Sequence, residues 1–300
     1  MNDQAHTLRR MFSQGNPAPL PQILSVTSGK GGVGKTSIVV NLAVILASMG
    51  KKVLVLDADL GLANIDVMLG LTPKYNIKHV LDGQCRLEEI LLEGPHGMKI
   101  IPATSGIQEL VDLSYEQQLS LVNTLDYFDE DMDYLFVDTG AGISRNVMYF
   151  NAAAQRIIVV VTPEPTSITD AYALIKVLRN QYGIKRFNLI INNVLSKMEG
   201  DEVAKKLTLV CGRFLGDVAL DMLGSIPHDS NFSECIKGQK AFVGEYPNGA
   251  VAKGLIRITK QIDRLSHGHG TGNLQFFLKR ILLNETKGSR HAEYSIPSSY

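Results

Sequence analysis

Apolar runs recur along this chain, and stretches with helical periodicity lie between them. The runs show no alternation of apolar and polar positions, which is typical of parallel strands covered by helices on both faces. This βαβα order predicts an α/β fold with a doubly wound, mostly parallel sheet and helices on both faces. The predicted strands are 23–26, 52–57, 134–138, 157–162 and 188–192, with weaker candidates at 98–102 and 223–227, and the predicted helices are 38–49, 114–125 and 169–181.

A glycine-rich segment joins the first predicted strand to the first predicted helix. It satisfies the P-loop pattern G-x-x-x-x-G-K-[ST], in which backbone N–H groups wrap the phosphates of a nucleotide. Lys35 would reach the β and γ phosphates, and the Thr36 hydroxyl would ligate Mg²⁺. The segment therefore predicts a P-loop NTPase fold that binds a nucleoside triphosphate, with contacts from Gly29, Lys30, Gly31, Gly32, Val33, Gly34, Lys35, Thr36 and Ser37.

The loop carries a second lysine, Lys30, directly after its first glycine. One lysine already serves the β and γ phosphates within a subunit. We therefore expect Lys30 to point outward, toward a nucleotide held by a facing copy of the protein.

Acidic residues lie at the ends of two of the predicted strands, at the sheet edge where such folds bind ligands. Asp138 precedes Thr-Gly-Ala-Gly in a Walker B layout, which predicts that it holds a Mg²⁺-bound water. Asp57 and Asp59 form a D-x-D pair, in which one carboxylate would steady the magnesium shell and the other would orient the attacking water. The alternative for each aspartate is an N-cap of the next helix. Asn192 either reads an adenine edge or forms a turn with its own backbone.

Composition narrows the range of functions. The chain has 300 residues, 45% of them hydrophobic and 20% charged, and its thirty basic residues balance thirty acidic ones. This balance gives no global electrostatic argument for nucleic-acid binding. Three scattered cysteines indicate neither a disulfide framework nor a zinc site and fit a reducing cytosol. With no apolar signal core and no run of about 20 apolar residues, we expect a cytoplasmic protein that is neither secreted nor integral to a membrane.

Segments of different composition flank the predicted domain. We divide the chain into an N-terminal segment (1–15), a proline-rich linker (16–22), a P-loop domain (23–266), a glycine-rich hinge (267–273), an amphipathic helix (274–285) and a tail (286–300). The helix would lie on a membrane surface, or alternatively pack on the core. One such anchor binds weakly, so a second copy of the helix in a dimer would add the avidity needed. The apolar face of the predicted helix comprises Leu274, Phe277, Leu278, Ile281 and Leu282.

Three segments carry a resemblance to a known family. Residues 29–37 resemble the deviant Walker A box of MinD/ParA-type P-loop ATPases, and residues 55–64 and 136–142 resemble that family's two switches. The resemblance, which covers about residues 20–265, implies that two subunits sandwich two ATP molecules and that hydrolysis separates them. It further implies that Lys30 crosses to the partner's nucleotide and that Asp59 positions the water.

The same resemblance assigns the remaining site residues. It implies that Lys35 holds the phosphates, that Thr36 and Asp138 serve Mg²⁺, and that Glu164 lies near the dimer seam. The adenine would be surrounded by Asn192, Pro227, His228 and Asp229.

The N-terminal segment narrows the resemblance further. Residues 3–9 resemble the D-Q-A-x-x-L-R element of the flagellar number regulators called FlhG, FleN or YlxH. That element stimulates the signal-recognition-type GTPase FlhF, which implies that Gln4 and Arg9 act near the GTPase site. The alternative is a capped surface helix. The resemblance thus implies an ATPase that limits flagellar number and helps place flagella, cycling between a cytosolic monomer and a dimer on the inner face of the cytoplasmic membrane.

Other functions known for this type of ATPase fit the sequence less well. A MinD-type selector of the division site would give residues 3–9 no purpose, and a ParA-type DNA-partitioning ATPase would need a basic surface. An iron–sulfur scaffold would need a cysteine pair. A flagellar transcriptional activator or a switch-ring protein is a further candidate partner, whereas DNA is not expected to be one.

Overall fold

The computed structural model describes residues 21–59, 65–76, 79–80, 82–102 and 132–265. The predicted helix at 114–125 lies outside the described residues. The N-terminal segment, the hinge and the amphipathic helix lie outside them as well.

A sheet of eight strands runs through the described part of the chain, in the order β3-β4-β2-β5-β1-β6-β7-β8. All neighbours are parallel except β3 and β4, which are antiparallel. The predicted doubly wound α/β fold is confirmed. The strands are β1 Gln22–Ser28, β2 Val53–Ala58, β3 Leu92–Glu93, β4 Lys99–Ile101, β5 Tyr134–Ala141, β6 Arg156–Val161, β7 Arg186–Val194 and β8 Ala219–Pro227.

Helices cover both faces of this sheet. Among the described residues they are α1 Lys35–Ser48, α2 Ile65–Leu69, α3 Leu87–Ile90, α4 Arg145–Ala153, α5 Pro165–Tyr182, α6 Lys197–Leu215, α7 Asn231–Lys237, α8 Phe242–Glu245 and α9 Ala250–Leu265, with a 3₁₀ turn at Pro95–Gly97.

Both faces of the central strands are buried, which explains their unbroken apolar sequence. On β1, Leu24 and Val26 pack with α1 and α9, whereas Ile23 packs on the opposite face. The same opposite side of the sheet carries α4, α5 and α6. Helix α1 is buried nearly all round, because α8 and α9 pack against it in addition to the sheet.

Several predicted boundaries shift in the structure. Strand β1 begins at Gln22, which is buried, so the predicted linker over 16–22 ends one residue too late. Helix α5 begins at Pro165, four residues before the predicted start, because proline is well suited to the first turn of a helix. Strand β8 begins at Ala219, four residues before the predicted start, because Leu220 and Met222 pack half-buried against the core while Ala219 and Asp221 are exposed.

None of the described helices is both long enough and apolar enough to cross a bilayer.

Candidate nucleotide-binding site

The P-loop lies at the carboxyl edge of the sheet, between β1 and α1. Gly32 and Gly34 adopt left-handed φ values of 76° and 85°, a region that side chains other than glycine rarely occupy. These two turns bring the chain round so that α1 begins at Lys35. The loop is thus shaped to direct backbone N–H groups and the helix N-terminus toward an anion.

The first glycine of the loop, Gly29, is required by close packing rather than by its backbone conformation. A Cβ atom at Gly29 would lie only 2.2 Å from the backbone carbonyl carbon of Asp170, on helix α5. No side chain fits in that space. The absence of a Cβ therefore allows the start of the loop to rest directly on α5.

The P-loop lysine that would reach the phosphates, Lys35, is buried and paired. Lys35 Nζ lies 3.0 Å from Asp138 Oδ1, and both side chains are almost completely excluded from solvent. Burial raises the pKa of Asp138, and the Lys35 ammonium opposes this rise. Within the described residues, the other carboxylate oxygen, Oδ2, is buried without a hydrogen-bond partner. The Thr36 hydroxyl lies beside the same carboxylate.

This arrangement fits a magnesium ion. Buried polar atoms without partners are rare in native proteins and are often explained by a water or an ion. Asp138 Oδ2 and the Thr36 hydroxyl are oxygen ligands of the kind that Mg²⁺ prefers, either directly or through its waters. The donor set is therefore compatible with Mg²⁺, and the role of these two residues as its ligands stays a prediction.

The D-x-D pair lies on the strand beside Asp138. Asp57 is fully buried and stands in register with Asp138 across β2 and β5. Its two carboxylate oxygens accept hydrogen bonds from the backbone N–H groups of Asp59 and Ile65, each at 3.2 Å. Asp57 thereby fixes both ends of the loop that leads from β2 to α2.

Asp59 is half-buried and faces the second switch. Its Oδ1 atom would lie 3.5 Å from a Cβ placed on Gly140. The structure therefore places Asp59, the last described residue of β2's exit, beside Gly140 of the second predicted switch. This proximity suits a group that orients water near the γ-phosphate.

Lys30 has very different surroundings from Lys35. Its ammonium pairs with the Glu164 carboxylate and donates to the Thr166 hydroxyl at 3.0 Å. The Lys30 side chain is 36% exposed and that of Glu164 is 57% exposed. The predicted outward lysine and the predicted seam residue thus meet within one chain, at the start of α5.

A cleft of about 250 Å³ opens beside the loop. One wall is the P-loop, and the other is formed by the ends of β7 and β8 together with α7. Asn192 lines the cleft, and its amide donates to the Val33 carbonyl at 2.8 Å. His228 Nδ1 lies 2.6 Å from Asn193 Oδ1. The residues predicted to surround adenine, Asn192, Pro227, His228 and Asp229, all line this cleft.

Sequence reasoning missed part of this wall. Phe232, Ser233 and Ile236 of α7 also line the cleft. Phe232 stacks on Phe242 with ring centroids 4.8 Å apart, which holds the ring in place. The spacing of Phe232 and Ile236, four residues apart, is a helical signal that could have revealed them. Thr162 was missed too: its hydroxyl is buried, has no hydrogen-bond partner in the described part of the chain, and belongs to a residue that lines the cleft.

The chain is similar to known proteins in both sequence and fold. A family model described as an AAA domain matches residues 21–191. The chain is 43% identical to the antiactivator FleN of Pseudomonas aeruginosa, covering 93% of this chain and 99% of that protein. It is 34% identical to the flagellum site-determining protein YlxH of Helicobacter pylori, covering 94% and 99%. The MinC:MinD cell division complex of Aquifex aeolicus matches with a TM-score of 0.66 and 26% identity, covering 81% of this chain and 96% of that one.

Proposed function

The chain belongs to the FleN/YlxH branch of the MinD/ParA-type P-loop ATPases, and from this premise we propose that it is an ATP-dependent switch that regulates flagellar number and placement. As a member of that family it is an ATPase, and ATP and Mg²⁺ are its nucleotide and metal. The observation that carries the proposal is the pair of lysines on one loop, one buried against Asp138 and the other exposed against Glu164. Hydrolysis would set how long the switch stays in its ATP state.

In the nucleotide site, Lys35 would hold the β and γ phosphates while it remains beside Asp138. Thr36 and the unpartnered oxygen of Asp138 would hold Mg²⁺, which neutralises the phosphate oxygens when bound. Asp57 would add negative charge beside the metal and fix the loop that carries Asp59. The Asn192 amide nitrogen is engaged by Val33, so its side-chain oxygen is the atom that would accept from the adenine amino group.

Dimerisation would use the exposed lysine. When a second ATP-loaded copy approaches, Lys30 would leave Glu164 and cross to the phosphates of the partner. An exposed ion pair contributes little stability, so exchanging it for a phosphate contact is energetically accessible. Asp59 would orient the attacking water in its own subunit, beside Gly140 of the second switch. Hydrolysis would then separate the two copies.

Two segments outside the described residues would couple this cycle to partners. Residues 274–285 would bind the membrane surface, with the second copy of the helix in the dimer supplying avidity. The N-terminal segment would stimulate the GTPase FlhF through Gln4 and Arg9. The FleN relative is named an antiactivator, which supports a flagellar transcriptional activator as a further partner.

Flagellar counts in the source organism test this function. A strain without the chain should show an altered number of flagella, and the wild-type gene should restore it whereas Lys35→Ala should not. The matched control is Lys206→Gln, which removes an exposed cation from the middle of α6. Normal flagella with misplaced septa would instead indicate division-site selection, and defective DNA segregation would indicate a partitioning ATPase.

A further inference from the structure

The last described helix, α9, has an outward face made of cations. Its inner face, with Val251, Leu255 and Ile258, is buried against the sheet and α1. Four basic residues are exposed on the other side at intervals of four, three and four positions, which places them along one line. We call this line the basic stripe; it consists of Lys253, Arg257, Lys260 and Arg264.

No acidic side chain neutralises the stripe in the part of the chain that the structure describes. The helix contains a single acid, Asp263, whose carboxylate accepts from the Tyr134 hydroxyl at 2.7 Å and pairs with Lys51 at 3.3 Å. These contacts hold Asp263 against the body of the domain. None of the four stripe cations forms an ion pair with a described residue.

Not every exposed helix face of this protein carries charges of a single sign. The exposed face of α6 carries Asp201 and Glu202 one turn before Lys205 and Lys206. Such alternation of sign gives mutual support along a helix and no strong field. The stripe on α9 instead concentrates one sign of charge in a protein whose net charge is zero.

The position of the basic stripe in the chain indicates a membrane surface as its binding partner. The carbonyl of Leu265, at the end of α9, accepts a hydrogen bond from Arg156 at 2.8 Å, which fixes where the chain leaves the domain. Eight residues, 266–273, separate this point from the predicted membrane helix at 274–285. Even fully extended, the nine Cα steps from Leu265 to Leu274 span at most about 32 Å, so a membrane that binds the helix lies within about that distance of the end of α9.

We propose that the basic stripe of α9 binds the anionic headgroups of the membrane surface and is a second membrane contact beside the amphipathic helix. This inference rests on the membrane binding proposed above. Juxtamembrane cations attract anionic lipids additively, and a single weak anchor needs a second signal for stable binding. The stripe therefore makes residence on the membrane depend on lipid charge as well as on the nucleotide.

Vesicle co-sedimentation of the full chain with a non-hydrolysable ATP analogue tests the proposal. The vesicles contain phosphatidylcholine alone or with phosphatidylglycerol. The test variant replaces all four stripe cations by Gln, and the matched control replaces four exposed α6 cations, Lys197, Lys205, Lys206 and Arg213, by Gln. We expect the stripe variant to bind the anionic vesicles at least about tenfold more weakly than wild type, while the control binds within about twofold. ATP hydrolysis and thermal unfolding in solution should be unchanged for both.

A chain cut after Gly272 separates this inference from the proposed membrane helix. Lacking that helix, it should still bind anionic vesicles weakly at low salt and lose this binding when the stripe is neutralised. Equal binding of anionic vesicles by the full-length stripe variant and wild type would overturn the stripe and leave the helix in place. Failure of wild type to bind any vesicle would overturn both. A stripe variant that loses retention on duplex DNA but keeps lipid binding would assign the stripe to nucleic acid and overturn the lipid contact.

Discussion

Two lysines five positions apart on one loop are held in opposite ways. Lys35 is buried against Asp138, whose second oxygen has no hydrogen-bond partner within the described residues, whereas Lys30 is exposed and paired with Glu164 and Thr166 at the start of α5. Removing one partner of a buried pair leaves an uncompensated charge, while exposed pairs contribute little. This difference implies that Lys35 is a fixed part of the nucleotide site and that Lys30 can change partners at a low cost in free energy.

The largest effect is expected at the buried pair. Lys35→Ala should destabilise the fold by about 3–5 kcal/mol, because Asp138 is then left buried without its counter-ion. ATP hydrolysis should fall by at least about 10³-fold, since the phosphate contact is lost as well. Denaturant unfolding and phosphate release measure the two effects.

The double variant Lys35→Met with Asp138→Asn provides the control for the buried pair. It removes both charges, so most of the lost stability should return while hydrolysis stays absent. If Lys35→Ala is as stable as wild type, Lys35 is not held more firmly than Lys30, and the contrast between the two lysines is wrong.

A smaller effect, confined to function, is expected at the exposed pair. Lys30→Ala should lower ATP hydrolysis by about 10²-fold, because a preorganised cation is missing from the transition state of the partner's site. ADP affinity should change little, and the free energy of unfolding should move by no more than about 0.5 kcal/mol. Unchanged turnover would remove Lys30 from the mechanism.

The contact between Gly29 and helix α5 predicts that two glycine variants of the P-loop differ in stability. Gly29→Ala should cost about 1–3 kcal/mol of stability, because its Cβ would overlap the backbone of Asp170 and push the loop off α5. Gly31→Ala is the matched control, since its Cβ would meet nothing within 4 Å. Equal unfolding midpoints for the two variants would contradict the close approach.

The smallest effect is expected at the intrachain partner of Lys30. Glu164→Gln frees the lysine, so the ATP-bound chain should dimerise at a concentration lower by up to about fivefold, which matches the small free energy of an exposed ion pair. Analytical ultracentrifugation with a non-hydrolysable ATP analogue measures this change. Weaker dimerisation of the variant would show that Glu164 supports the seam rather than restraining Lys30.

Much of this site could be predicted from local sequence. The P-loop is continuous in the chain, and its glycines are dictated by backbone geometry that few other residues adopt. The acids toward the carboxyl ends of β2 and β5 were predictable for a similar reason, because parallel strands end at a common edge. The confirmed α/β fold follows from the apolar runs of the buried strands.

Other features depend on contacts between distant segments, and sequence patterns do not encode those contacts. The pairing of Lys30 with Glu164 joins residues 134 positions apart, and Asn192 reaches a loop 159 positions away. The two-residue strand β3 is too short to give a periodic signal. The stripe on α9 was visible as spaced cations, but only the buried inner face shows that they point outward.

The most direct test of the exchangeable lysine is a mixing experiment with two inactive variants, Lys30→Ala and Asp59→Ala. If Lys30 acts on the partner's nucleotide and Asp59 on its own, a mixed dimer contains one intact site. Half of randomly paired dimers are mixed, so the mixture should recover up to about a quarter of wild-type ATP hydrolysis. A mixture as inactive as its two components would mean that Lys30 acts within its own subunit, which would contradict the account.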